Sequence, residues 1–133
     1  MRIEIILIIL IVLVVLAVLL VPWIIKTYNK LVWGRNKVKE IWANIEVQLN
    51  RRHELVPNLV STVKGYAKHE DKVLNEVTEA RSKATDASTP AEKAASEQQL
   101  MMGLSSLYAV AENYPELKAN DNFMKLQGEL SSI

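Results

Sequence analysis

Residues 5–25 read IILIILIVLVVLAVLLVPWII and contain neither a charged nor an amide side chain. At a rise of 1.5 Å per residue, these 21 residues form a helix of roughly 32 Å, about the hydrocarbon thickness of a bilayer. A core helix of a soluble protein keeps a polar face, which this stretch lacks. The alternative is a cleaved signal peptide, but its apolar run is about 7–15 residues and ends at small residues. The stretch therefore predicts one uncleaved transmembrane helix.

The residues that flank the span predict its orientation and its interface. Arg2 is the one base before it, whereas five basic residues follow within residues 26–39. By the positive-inside rule, this asymmetry places the rest of the chain in the cytoplasm. Side chains typical of a membrane interface lie at the exit of the span, namely Trp23, Lys26, Tyr28, Lys30 and Trp33. For Trp33, packing against the helical domain is the alternative.

Charge is distributed unevenly after the span. Residues 26–52 carry seven basic and two acidic side chains, whereas residues 70–133 carry eleven acidic and six basic ones. A basic region next to a span suits anionic lipid headgroups. The region after the span is nearly neutral as a whole and its aromatic residues follow the packing pattern, so we expect no nucleic-acid binding. The absence of cysteine excludes disulfides, thiolate metal sites and cysteine nucleophiles.

A long helix is predicted directly after the span, because apolar residues recur at steps of three or four. The series comprises Tyr28, Leu31, Arg35, Val38, Trp42, Ile45, Leu49, Arg52, Val56, Leu59, Val63 and Tyr66. Such a pattern is typical of a helix that packs against other helices, and it could also pack between subunits. Pro57 lies inside the series and removes one helical hydrogen bond. We expect a kink near residues 53–57, and a full break there is the alternative.

Three further helices are predicted after a turn at Gly65 and residues 68–71. The sequence Thr89-Pro90-Ala91-Glu92 places an N-cap, a first-turn proline and a capping-box glutamate in the order that begins a helix. Asn120 and Asp121 can cap the last helix. The predicted core residues are Val73, Leu74, Val77, Ala80 and Ala84, then Ala94, Leu100 or Met101, Leu104, Leu107, Tyr108 and Ala111, and finally Phe123, Met124, Leu126, Leu130 and Ile133.

No segment alternates with period two, so the predicted fold is all-α. We expect an N-terminal transmembrane helix over residues 1–27 and an antiparallel four-helix bundle with a long, kinked first helix over residues 28–133. Met101, Met102 and Met124 are expected to fill gaps in its core.

Several stretches after the span resemble the LemA family. They are Tyr28–Val32, Arg35–Val38, Trp42–Leu49, Arg51–Val60, Thr62–Ala67, His69–Glu70, Ala109–Ala119 and Phe123–Gln127. The resemblance implies a bacterial protein with a membrane anchor, a four-helix bundle and no enzymatic activity. Some relatives are connected with the formation of internal membranes. Family members usually continue the last helix beyond Gln127, so we expect either further residues or another chain to complete the packing.

A polar cluster of Arg35, Arg51, Arg52, His53 and Glu54 is the candidate site. Guanidinium groups suit phosphate and carboxylate partners, so the cluster could dock a protein or a lipid. We favour the alternative, an ion-pair network that fixes the kink, in which Arg52 reaches Glu46, Glu70 or Glu76.

No catalytic, cofactor or metal site is predicted. His53 and His69 have no glutamate three residues before them, as helical metal sites require. On one helix, sixteen residues turn them roughly 160° apart, so we expect surface or capping roles. No serine has a histidine at a plausible spacing, and no phosphate-binding loop occurs.

These patterns favour a non-enzymatic, single-pass protein of the bacterial inner membrane that self-associates as a scaffold. The alternative is an adaptor or sensor that binds anionic lipid or a protein partner through the basic region near the membrane. The expected partners are therefore the lipid bilayer, further copies of the chain and possible other proteins.

Overall fold

The computed structural model describes residues Met1–Ile133 as an all-α chain without strands. The helices are α1 (Arg2–Tyr66), α2 (Asp71–Asp86), α3 (Pro90–Ala111), α4 (Pro115–Lys118) and α5 (Asp121–Ser131). The all-α prediction is confirmed. A single-turn helix, α4, lies between the predicted third and last helices and begins at Pro115.

Helix α1 is continuous from the apolar stretch through Pro57, so the alternative of a full break is wrong. A bend at Pro57 stays a prediction. By length and composition, α1 is the one helix of the chain that could cross a membrane. Its apolar residues 5–25 have exposed side chains throughout.

The chain divides into two compact units, Met1–Asn44 and Ile45–Ile133. The first unit consists of the N-terminal part of α1. The second unit contains the hydrophobic core, to which the C-terminal part of α1 and all other helices contribute. The core residues are Val56, Leu59, Val63, Ala67, Leu74, Val77, Ala80, Ala84, Leu100, Leu104, Leu107, Ala111, Leu117, Phe123, Leu126 and Leu130.

The predicted burial is confirmed for most of α2, α3 and α5, but four expected core residues are exposed. On α3, the buried residue is Leu100 rather than Met101, which lies about 100° away around the helix. Ala94 is also turned about 120° from Leu100 and is exposed. Met102 and Met124 are exposed as well, so the methionines do not fill gaps in the core.

The helix boundaries follow from local hydrogen bonds. At the start of α3, the Thr89 hydroxyl accepts from the Glu92 N–H at 3.2 Å, and the Glu92 carboxylate accepts from the Thr89 N–H at 3.1 Å. This is the predicted capping box. Asn120 caps α5, because its side-chain oxygen accepts from the Phe123 N–H at 3.0 Å. Both predicted caps are confirmed.

Candidate functional site

Two of the buried polar side chains of the Ile45–Ile133 unit, His53 and Glu97, belong to one cluster around Glu97 of α3. The Arg52 guanidinium donates from Nη1 to Glu97 Oε2 at 2.7 Å. The other carboxylate oxygen, Oε1, is hydrogen-bonded to His53 Nε2. Side-chain exposure is 12% for Arg52 and 10% for Glu97, so these charges have been removed from water together. One carboxylate of α3 therefore holds two neighbouring side chains of α1.

Pro57 explains why a third basic side chain belongs to this cluster. Proline has no N–H, so the carbonyl of His53, four residues earlier, receives no helical hydrogen bond. The Arg81 side chain of α2 donates from Nε to this carbonyl at 2.7 Å. A donor on another helix thus replaces the bond that Pro57 cannot make. We call Arg52, His53, Pro57, Arg81 and Glu97 the Pro57 cluster.

The energetics of the cluster are those of a buried ion pair. Removing one partner of such a pair costs about 3–5 kcal/mol, because the remaining charge stays buried without compensation. An unsatisfied buried carbonyl costs a further ~1–3 kcal/mol. The arrangement therefore links α1, α2 and α3 through polar groups, and removing any one of them leaves a buried charge or carbonyl without its partner.

The structure assembles only part of the predicted cluster. Arg51 lies outside it and forms a half-exposed pair with Glu129 of α5 at 3.6 Å. Glu54 is exposed on α1, and Arg35 is exposed in the other unit, Met1–Asn44. Arg52 and His53 are the two predicted members that belong to the Pro57 cluster.

Two expectations about these residues are wrong. Arg52 does not pair with Glu46, Glu70 or Glu76, because Glu97 occupies the core face of α3 opposite it. Glu46 instead accepts from Lys93 at 2.6 Å. His53 is buried, with 8% exposure, rather than a surface or capping residue.

Glu97 and Arg81 are the members that sequence reasoning missed. Glu97 does carry a signal, since it lies three residues before Leu100 in the spacing 97, 100, 104, 107 and 111 of the buried face. An acid in step with a core face requires a buried base. Arg81 lies next to the buried Ala80 but gives no comparable pattern.

The chemistry available in the cluster comprises imidazole, guanidinium and carboxylate groups. Ser96 is the buried hydroxyl beside Glu97 along α3, and it donates to the Glu92 and Lys93 carbonyls at 2.8 and 3.1 Å. It is thus used within its own helix. No group of three or more histidine, aspartate or glutamate side chains is placed to hold a metal ion.

Two cavities are each lined in part by one member of the cluster. One, of about 180 Å³, is mainly polar and is lined by Glu46, Asn50, His53, Thr85 and Lys93 among others. The second, of about 310 Å³, is more apolar and is lined in part by Arg52 and Tyr108. Burial raises the pKa of the Tyr108 hydroxyl, and the positive charge of Arg52 offsets part of this rise.

The predicted interface residues all lie on the Met1–Asn44 unit. The side chains of Trp23, Lys26, Tyr28, Lys30 and Trp33 are exposed. For Trp33, both the interface role and the alternative of packing against the helical domain stay predictions. Their contact with lipid stays a prediction.

The fold defines an all-α protein that has a candidate membrane-spanning helix at its N-terminus. Its Ile45–Ile133 unit contains a buried ion-pair network whose charged groups bind one another. The family model of the LemA family matches residues 41–133. The chain belongs to the LemA family. A comparison with curated proteins gives no match.

Proposed function

We propose that the protein is a non-enzymatic scaffold that is anchored by α1 and associates with further copies of itself. The observation that carries the proposal is an exposed apolar series on α1 outside the apolar span. We call Tyr28, Leu31, Val38 and Ile45 the exposed seam. Leu31 and Val38 expose 68% and 67% of their surface, although they follow the spacing of a packing face.

A second copy of the chain is the partner that fits this seam. Leu31, Val38 and Ile45 are spaced by seven residues, the repeat of helices that pack side by side. A span of fixed length holds the same residue of each copy at one depth in the bilayer, so identical seams meet in register. Arg35 interrupts the seam, and one polar residue at such a position specifies register at a cost in stability.

The rest of the proposal concerns location and architecture. The five bases after the span favour a cytoplasmic domain, and we propose the bacterial inner membrane as its site. We further propose that the helices of residues 28–133 form an antiparallel four-helix bundle. The Pro57 cluster supports a structural rather than catalytic role, because its charges are engaged with one another.

The absence of cysteine allows a direct test in native membranes. Val38→Cys places a thiol in the exposed seam, and Asn36→Cys, about 200° around the helix, is the matched control. We expect mild oxidation to yield disulfide-linked dimers of the Val38 variant and far fewer of the Asn36 variant. Monomer alone for both variants, or equal cross-linking at both positions, would contradict self-association through this seam.

A second candidate function is an adaptor that binds anionic lipid. Lys26, Lys30, Trp33 and Lys37 recur at steps of four, three and four and are exposed, so they share one face of α1 that differs from the seam. Basic and aromatic side chains beside a span suit anionic headgroups. If neither cysteine variant cross-links while the purified protein retains anionic lipid, this second function is favoured.

A further inference from the structure

Arg35 is the charged residue that interrupts the exposed seam. Its side chain is exposed and forms no ion pair within the chain. No acidic residue lies between Glu4 and Glu40, and the Glu40 carboxylate is paired with Lys37 at 3.1 Å. In a single copy of the chain, the charge of Arg35 is therefore balanced by ions of the solvent and not by a neighbouring side chain.

Self-association would bring the Arg35 side chains of two copies together, and this step rests on the proposed function. In helices that pack with a seven-residue repeat, each side chain of the seam inserts between four residues of the facing helix. For parallel copies in register, the four residues that receive Arg35 are Leu31, Gly34, Arg35 and Val38 of the second copy. Two guanidinium groups then face each other between apolar residues, where like charges are unfavourable.

Gly34 provides space beside these two charges. Glycine is among the least favourable residues in the interior of a helix. No packing within the chain requires it here, because a Cβ at Gly34 would meet no atom within 4 Å. In the paired helices, the missing side chain leaves a gap next to the Arg35 guanidinium of the facing copy. A gap that is lined by two positive charges suits a small anion.

We propose that the paired seams bind an inorganic phosphate ion between the Arg35 side chains of two copies. A guanidinium binds phosphate oxygens through two parallel N–H groups, and each copy supplies one guanidinium. The bound ion neutralises the two facing charges. Association through the exposed seam therefore depends on phosphate.

The position of Arg35 along α1 favours a free ion over a lipid headgroup. Arg35 lies ten residues beyond Ile25, which is about 15 Å along the helix. The headgroup layer is about 5–8 Å thick on each side of the bilayer. Lys26 and Lys30 lie about 1.5 and 7.5 Å beyond Ile25, so the headgroups meet these lysines before they reach Arg35.

The test uses the full chain with Val38→Cys in phosphatidylcholine vesicles and a short bis-maleimide as the cross-linker. The protein-to-lipid ratio that gives half-maximal cross-linking is measured in phosphate and in chloride at equal ionic strength. We expect phosphate to lower this ratio by about tenfold or more, the usual effect of a hydrogen bond to a charged group. Efficient cross-linking with the same ratio in both salts would overturn the phosphate site and leave self-association intact, whereas no cross-linking in either salt would refute both.

Substitutions in the Val38→Cys background separate a specific site from a general effect of the salt. Phosphate strengthens apolar burial in any protein, and this general effect should act equally on every variant. Arg35→Gln should lose the tenfold response to phosphate. Lys37→Gln is the matched control, because it removes the same charge about 200° around α1 from Arg35 and should keep the response. A tenfold response that persists in Arg35→Gln would overturn the proposal.

A change of lipid tests the source of the anion. Vesicles that contain phosphatidylglycerol supply anionic headgroups without free phosphate. We expect them to leave the half-maximal ratio in chloride nearly unchanged, and added phosphate should still lower it. If the anionic lipid replaces phosphate fully, headgroups neutralise the Arg35 charges and the assignment to a free ion is wrong.

Discussion

The two parts of α1 that follow the membrane segment share one sequence pattern but differ in burial. Val56, Leu59 and Val63 are completely buried in the core. Leu31 and Val38, which belong to the same series at steps of three or four, are largely exposed. The pattern therefore identifies a face that is suited to packing, but it does not identify the partner.

The helices that follow α1 are much shorter than the part of α1 outside the span. Residues 26–66 of α1 extend about 62 Å at 1.5 Å per residue, whereas the 22 residues of α3 extend about 33 Å. The longest of these helices is thus about half as long as the part of α1 outside the span. Apolar residues beyond that reach are available for another molecule or for lipid.

The largest expected effect comes from matched truncations in these two parts. Leu59→Ala should lower the free energy of unfolding by about 2–5 kcal/mol, because it leaves a cavity in the core. Leu31→Ala should change it by no more than about 0.5 kcal/mol in monomeric, detergent-solubilised protein. Guanidinium denaturation followed by near-UV circular dichroism measures both variants. A similar loss for Leu31→Ala would show that this side chain is packed within the monomer.

A smaller effect is expected at the point where α1 passes Pro57. Arg81→Met should cost about 1–3 kcal/mol, because the His53 carbonyl loses its donor. In a Pro57→Ala background, the new N–H can donate to that carbonyl, so the same Arg81 substitution should cost less. Denaturation of the two single variants and the double variant gives the coupling free energy.

Lys83→Met on α2 is the control for this double-mutant cycle. Lys83 is exposed and pairs with Glu79 of its own helix at 2.8 Å, so we expect little change in either background. Additive costs for Arg81→Met and Pro57→Ala would mean that the bond to the His53 carbonyl is not what Arg81 contributes.

Features that depend on neighbouring residues could be predicted from the sequence. The capping box at Thr89 and Glu92 needs only four consecutive residues, and it forms as expected. The buried face of α2 follows from helical spacing alone, and Leu74 and Val77 lie in the core. Continuity of α1 through Pro57 was less evident, because the compensating donor, Arg81, lies 28 residues from His53.

The pairing within the candidate site could not be predicted for the same reason. Glu97 lies 45 residues from Arg52, and only the packing of α3 against α1 brings them together. Several acids offered equally plausible partners, among them the partly buried Glu46 and Glu70. Charge type and helical spacing limit the choice to side chains on suitable faces, but tertiary packing selects one of them.

The smallest expected effect is a loss of stability at low pH, which we expect in the Ile45–Ile133 unit and not in the Met1–Asn44 unit. Hydrogen bonds from the backbone and side chains of Thr89 and Ser88 lower the pKa of Glu92 from 4.5 to about 2. Since the folded-state pKa is depressed, this contribution to stability is complete above about pH 4.5 and is lost as the pH falls toward 2. Acid should therefore weaken the start of α3 in the Ile45–Ile133 unit, whereas the α1 segment of the other unit has no such cap.

Glu92→Gln tests this contribution in detergent-solubilised protein. The variant should have a lower denaturation midpoint than wild type at pH 7, and the difference should shrink between pH 4.5 and 2, because the wild-type carboxylate becomes protonated there. Glu54→Gln, which alters an exposed glutamate of α1, is the matched control and should follow the wild-type curve closely. A difference between Glu92→Gln and wild type that stays constant down to pH 2 would show that the charged form of Glu92 gives the cap no added strength.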